Sequence, residues 1–180
     1  MDTFSLEDLY GTWEATKVSL GETDKDSATL VGEYYEDTED CENKPYSRGK
    51  FIKGLLGFTD EKVYSYFEIA EAMYNYTNPF YDENDNVDCD DVDGKVLGEE
   101  VIEIGSDYET YGGEIEIEDS SFIITTLYMD DNGDTDTHKT KIVFISSTSV
   151  DYYYEELGEF YYSGTLTKIS DTVDVTDFPE

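Results

Sequence analysis

Apolar and polar residues alternate with a period of two along much of the chain, as expected of strands with one buried and one solvated face. Gly113-Glu114-Ile115-Glu116-Ile117-Glu118 is the clearest case, with two isoleucines on one face and three glutamates on the other. Phe122–Met129 and Lys141–Ile145 read as further strands. The Asp130-Asp131-Asn132-Gly133-Asp134 segment between them is a turn signal that predicts a hairpin. Phe51–Phe58 and Val63–Ala70 flank Thr59-Asp60-Glu61-Lys62 and predict a second hairpin. With Gly11–Leu20, Ala28–Tyr35, Val96–Ile104, Val150–Glu155 and Phe160–Ile169, the chain carries about nine strands with short turns. That spacing suits an antiparallel barrel or sandwich.

Helical signals are sparse. Ser5-Leu6-Glu7-Asp8-Leu9 predicts one turn, with Ser5 as cap and Asp8 three residues on. Ile69–Met73 reads as a turn or as a continuation of its strand. Glu33–Glu42 and Asp82–Asp93 are acidic and read as long loops, and Asp171–Glu180 as a loose acidic tail. The expected organisation is one domain over residues 1–170, with the tail at 171–180.

Charge narrows the function classes. The 180 residues include 45 Asp plus Glu and 11 Lys plus Arg, a formal net charge of −34. Such an excess usually accompanies disorder. Here 38% hydrophobic and 15% aromatic residues, including 17 Tyr and 9 Phe, supply a core. The scattered basic residues cannot form a groove that tracks phosphates, so nucleic acid and anionic membrane surfaces are not expected partners. No apolar run approaches the roughly 18 residues that cross a bilayer. Met1-Asp2-Thr3-Phe4-Ser5 has neither the basic start nor the apolar stretch of a signal peptide. The expected location is the cytoplasm, or the periplasm or cell surface where Met1 replaces a removed signal segment.

Leu9-Tyr10-Gly11-Thr12-Trp13-Glu14 opens the first strand, and Leu166-Thr167-Lys168-Ile169 closes the last. A Gly-x-Trp at the start of an antiparallel series resembles the lipocalin signature. The Leu-x-Gly-Thr-Trp form looks like the small bacterial lipocalin-like domains of envelope proteins, whose last strand often ends in Leu-x-Lys-Ile. The resemblance implies an all-β fold, a single antiparallel up-and-down β-barrel of about eight to nine strands. It also implies that Trp13 plugs the closed end, with Lys168 across its face and Gly11 permitting close backbone approach. The motifs amount to about ten residues, and the acidity and the two long loops depart from the family pattern. The alternative is an ordinary core tryptophan in an unrelated sandwich.

No catalytic constellation is evident. His138, the single histidine, stands in Asp136-Thr137-His138-Lys139 beside a predicted turn and reads as a solvated turn residue. Paired carboxylates are unavoidable among 45 acids and carry no information. One His and two separated Cys do not supply a zinc set, and no cofactor is expected. In Asp88-Cys89-Asp90-Asp91-Val92-Asp93-Gly94, an EF-hand alignment puts Cys89 where the first carboxylate belongs and Glu100 at the twelfth position. A dedicated calcium site is therefore not expected; Asp88, Asp91 and Asp93 are the acids that adventitious calcium would use. The Asp130–Asp136 segment has Lys141 at the twelfth position and is better explained as a hairpin turn. Cys41 and Cys89 both fall in acidic loops, where a disulfide tying the loops together and a pair of free thiols are equally open.

Two functional expectations follow, from different classes. One is a noncatalytic lipocalin-like protein of the cell envelope that binds a small apolar or amphipathic ligand among inward-facing tyrosines. The other is an acidic inhibitor or immunity-type protein that presents carboxylates, as a DNA mimic does, to a basic protein partner. The acid excess also fits adaptation to a salty environment, with no partner implied. Oligomeric state is not legible.

Overall fold

The computed structural model describes residues 4–19, 24–37, 47–76, 92–96, 98–112, 115–118, 121–129 and 132–178. A single helical turn, α1 (Leu6–Leu9), precedes twelve strands among these residues. Eight strands are long: β1 (Gly11–Val18), β4 (Ser47–Phe58), β5 (Lys62–Tyr76), β7 (Glu100–Tyr111), β9 (Ser121–Met129), β10 (Thr135–Ser146), β11 (Ser149–Glu156) and β12 (Glu159–Ser170). Four are short: β2 (Thr29–Leu30), β3 (Tyr34–Asp37), β6 (Val92–Val96) and β8 (Glu116–Glu118). Among the described residues, no helix is long and apolar enough to cross a membrane.

The fold is all-β and every ladder is antiparallel, in the order β2-β1-β12-β11-β10-β9-β7-β5-β4-β3, with β6 on β5 and β8 on β9. Consecutive long strands are neighbours, with short connections at β4–β5, β9–β10, β10–β11 and β11–β12. β1 has partners on both sides. Trp13 and Ala15 face Lys168 and Leu166 of β12, while Gly11–Glu14 pair with Leu55–Phe58 of β4.

The strand count corrects the expected eight to nine. Ala28–Tyr35 is divided into β2 and β3 because Gly32, at φ +90°, takes a left-handed turn that a strand cannot accommodate. Val96–Ile104 is likewise divided between β6 and β7. β3 extends beyond the expected strand end at Tyr35 into Glu36 and Asp37, expected in a loop, because its backbone pairs with Ser47–Lys50 of β4. Strand β10 begins six residues before the expected Lys141: Thr135–Thr140 lack alternation but are held by the ladder to β9. Ile69–Met73 continues β5.

Alternate side chains of each strand separate into two layers. The main core contains Trp13, Leu56, Phe58, Phe122, Ile124, Ile142, Phe144, Val150 and Leu166. On the opposite face of the sheet, Leu55, Tyr66 and Phe178 form a smaller cluster with Tyr64 and Val173. Phe178 corrects the expectation of a loose tail. Asp174 Oδ1 accepts from the Thr176 N–H at 3.0 Å and from Thr176 Oγ1 at 2.7 Å, capping a 3-10 turn at Val175–Asp177. The turn lays Phe178 over Gly57, where an added Cβ would stand 2.9 Å from the Phe178 ring. Phe178→Ala is expected to lower stability by about 2 kcal/mol through lost burial. Calorimetry should show the melting temperature falling by about 4–8 °C; an unchanged value would mean the segment contributes nothing.

Candidate functional site

One end of the core is filled, and the filling starts with α1. Asp8 Oδ2 accepts from the Ser5 backbone N–H at 2.7 Å and from Ser5 Oγ at 2.9 Å, so the residues read as a cap hold the turn. The turn delivers Leu9, which is fully buried, and Leu6 and Phe4 against the core. Phe4 stacks on Phe144 at 4.4 Å between ring centroids, and Phe144 meets Trp13 and Phe122 edge-on at 6.2 and 5.7 Å. Trp13 is fully buried and its Nε1–H donates to the Leu9 carbonyl at 2.7 Å.

The structure brings Gly11, Trp13 and Lys168 together. Lys168 Nζ lies 5.6 Å from the Trp13 ring centroid, donates to the Asp8 carbonyl at 3.1 Å and is 3.0 Å from Asp171 Oδ1. Gly11 adopts φ +125° against the backbone of Ser170 and Asp171.

Beyond the filled end the same face of the sheet opens into a cavity of about 610 Å³. Two strands show how the change is encoded. Along β10 the core-facing series runs Phe144, Ile142, Thr140, His138; along β11 it runs Val150, Tyr152, Tyr154, Glu156. The first members pack the core and the later ones line the cavity. Leu56, Val63 and Phe67 supply apolar wall opposite, with Ser65 and Ser163 as hydroxyls. His138, Lys139, Glu155 and Glu156 place ionisable groups in the lining. A further void of about 30 Å³ lies between Phe58, Ile124 and Tyr152.

His138, read from the sequence as a turn residue, is therefore a strand residue of the cavity wall. It was missed because Thr135–Thr140 carry no apolar alternation. The tyrosines also separate. Tyr152 and Tyr154 line the cavity, whereas Tyr64 and Tyr66 belong to the cluster on the opposite face. Apolar Val150, two residues before Tyr152, was the available signal for that phase.

A second polar group lies on the other face of β11. Asp151, 5% exposed, accepts from Lys25 Nζ at 2.5 Å and from Thr165 Oγ1 at 2.7 Å, and Thr165 in turn bonds Tyr162 OH at 2.7 Å. The hydrogen bond to Asp151 raises the Lys25 pKa above its ordinary 10.5. Burial raises Tyr153, Tyr162 and, most strongly, Tyr111, whose hydroxyl donates to the Thr59 carbonyl at 2.7 Å. These shifts predict alkaline instability. Tyrosines of the unfolded chain ionise near their ordinary value of 10.0, before their folded counterparts, so stability falls as pH rises past that value. Lys25 acts in the same sense: its contribution is complete below 10.5 and is lost as pH rises through its higher folded value. Urea unfolding at pH 8 and pH 11 should show the fall, and Tyr111→Phe should reduce it. A flat profile would contradict the burial of these hydroxyls.

Asp88, Asp91, Cys41 and Cys89 lie outside the described residues, and Asp93 is described only as backbone of β6. Among the described residues, no three His, Cys, Asp or Glu side chains are grouped to hold a metal ion. No protein-family model, curated protein or solved structure was found to match the chain.

Proposed function

We propose that this protein is a noncatalytic, lipocalin-like binding protein of the cell envelope that holds one small apolar or amphipathic ligand inside a barrel. The placement of β1 supports closure. The long strands follow one another from β4 through β5, β7, β9, β10 and β11 to β12, and β1 pairs with both β12 and β4. Eight strands closed in this way leave an interior wide enough for side chains or one small ligand. Trp13, Phe144 and Phe4 fill one end, as the lipocalin resemblance implies.

The observation that carries the reading is the cavity itself. At about 610 Å³, with Leu56, Val63, Phe67 and Tyr152 as walls and hydroxyls at Ser65 and Ser163, it has the size and lining of a small-molecule site. A ligand with an apolar body and a polar end fits the change from Ile142 and Val150 to His138 and Glu156. Native mass spectrometry should detect a 1:1 guest, and an environment-sensitive hydrophobic probe should be displaced by it. Ser65→Trp, which introduces an indole into the cavity, should abolish displacement. Probe binding that is unchanged in this folded variant would overturn the assignment.

A further inference from the structure

We propose that the cavity selects cations: its ligand is an amine carrying an aromatic or short aliphatic body, and carboxylates such as fatty acids are rejected. This inference rests on the cavity-binding reading and adds the sign of the ligand's charge.

The lining charges are unequal. Glu156 continues the core-facing series of β11 and brings a carboxylate to the lining; Glu155 is also a lining residue, with its Oε1 accepting from the Gly158 N–H at 2.7 Å. Among the described residues, Lys139 is the one lysine of the lining, and its Nζ lies 3.7 Å from Glu116 Oε1, so its charge is already matched by a carboxylate of β8. Among the described lining residues, a carboxylate entering here finds no uncommitted lysine and meets the like charge of Glu156, with Glu155 next to it in the strand.

The whole molecule adds to this bias. A concave site with apolar walls concentrates the field of the surrounding charge, and this chain carries −34. The field raises the local concentration of cations and lowers that of anions. The aromatic walls favour the same choice, because an ammonium is attracted to a ring face. The fold uses that contact elsewhere. Arg48 and Lys50 lie 4.4 and 4.6 Å from the Tyr34 ring centroid, and Lys53 lies 6.0 Å from that of Tyr66. Tyr152, Tyr154 and Phe67 offer rings of the same kind to a ligand. The apolar depth would take the ligand's body and leave its ammonium among the tyrosines and Glu155 and Glu156.

The test is calorimetric titration with 4-phenylbutylamine, 4-phenylbutanol and 4-phenylbutanoate at 150 mM NaCl, three probes that differ in the head group. The amine is expected to bind about tenfold more tightly than the alcohol, and the carboxylate more weakly than the alcohol. In the Glu155→Gln/Glu156→Gln double variant, the advantage of amine over alcohol should shrink at least about fivefold. Ser163→Trp occupies the cavity without altering charge, and Ser65→Trp does so from another strand; whichever variant keeps the native circular dichroism should lose amine binding. Amine binding that survives in such a variant is attraction to the acidic surface and overturns the inference. Alcohol bound with carboxylate equal or tighter overturns the charge selectivity and leaves the cavity reading intact. Failure of all three to bind overturns both.

Discussion

Trp13→Ala should lower the free energy of unfolding by about 3–5 kcal/mol, the range for truncating a fully buried tryptophan. The ring is fully buried between Phe144 and the Lys168 side chain, and no solvent-facing direction is available for the surroundings to collapse from. Truncation also leaves the Leu9 carbonyl without its donor, so the effect belongs at the upper end of the range. The melting temperature should fall by about 10–15 °C, and urea titration should show a lower midpoint with an unchanged slope. Trp13→Phe separates the two parts. It keeps much of the packing and removes the indole N–H, and should cost about 1–3 kcal/mol. A loss below about 2 kcal/mol for the alanine variant would mean that Phe4 and Leu6 do not close this end tightly.

Gly11→Ala should be comparably damaging for a different reason. At φ +125° an L-residue is strained, at a cost of about 1–3 kcal/mol. The new methyl would also collide with the Ser170 carbonyl oxygen and stand 3.0 Å from Asp171 Cα. Those neighbours are backbone and cannot rotate aside. They move only if the Thr12↔Ser170 pairing shifts, which adds about 1–3 kcal/mol of overpacking. Gly32→Ala is the internal control. Gly32 has φ +90° with no atom within 4 Å of an added Cβ, so only strain should appear there. Equal losses in the two variants, measured by urea unfolding, would remove the steric argument for Gly11.

How far the fold was legible varies with the range of the interactions. The Ser5–Asp8 cap and the two hairpins at Thr59–Glu61 and before Thr135 depend on residues a few positions apart, and their signals are local. Elsewhere alternation does not fix its own phase. Ladders shift register between Phe51 and Lys53, between Ser65 and Phe67, and between Tyr152 and Tyr153. Each irregularity offsets a strand against its partner, and residues change face only along the strand that carries the extra residue. Along Tyr152-Tyr153-Tyr154 and Tyr64–Phe67 the alternation is unbroken, but aromatic residues stand at adjacent positions, so its phase is set by neighbours such as Val150 and Val63. His138 shows the opposite failure: its strand is held by the backbone of β9, and its own sequence has no strand pattern.

The net charge of −34 has a similar history. By itself it argues against phosphate-binding surfaces. The placement of Lys139 beside Glu116, and of Glu155 and Glu156 among the cavity-lining residues, is what the proposed charge selectivity rests on.

The sequence by itself determined an all-β antiparallel chain, the hairpin turns and the capped N-terminal turn, and its charge set the expectation about partners. These follow from side-chain period, turn chemistry and charge, which act over a few residues or over the whole chain at once. The tertiary structure alone decided that β1 pairs with both β4 and β12, that Phe178 folds back over Gly57, and that Tyr152 and Tyr154 line a cavity. Those outcomes depend on pairing between segments far apart in the chain, and their register is chosen by the packing of both faces together.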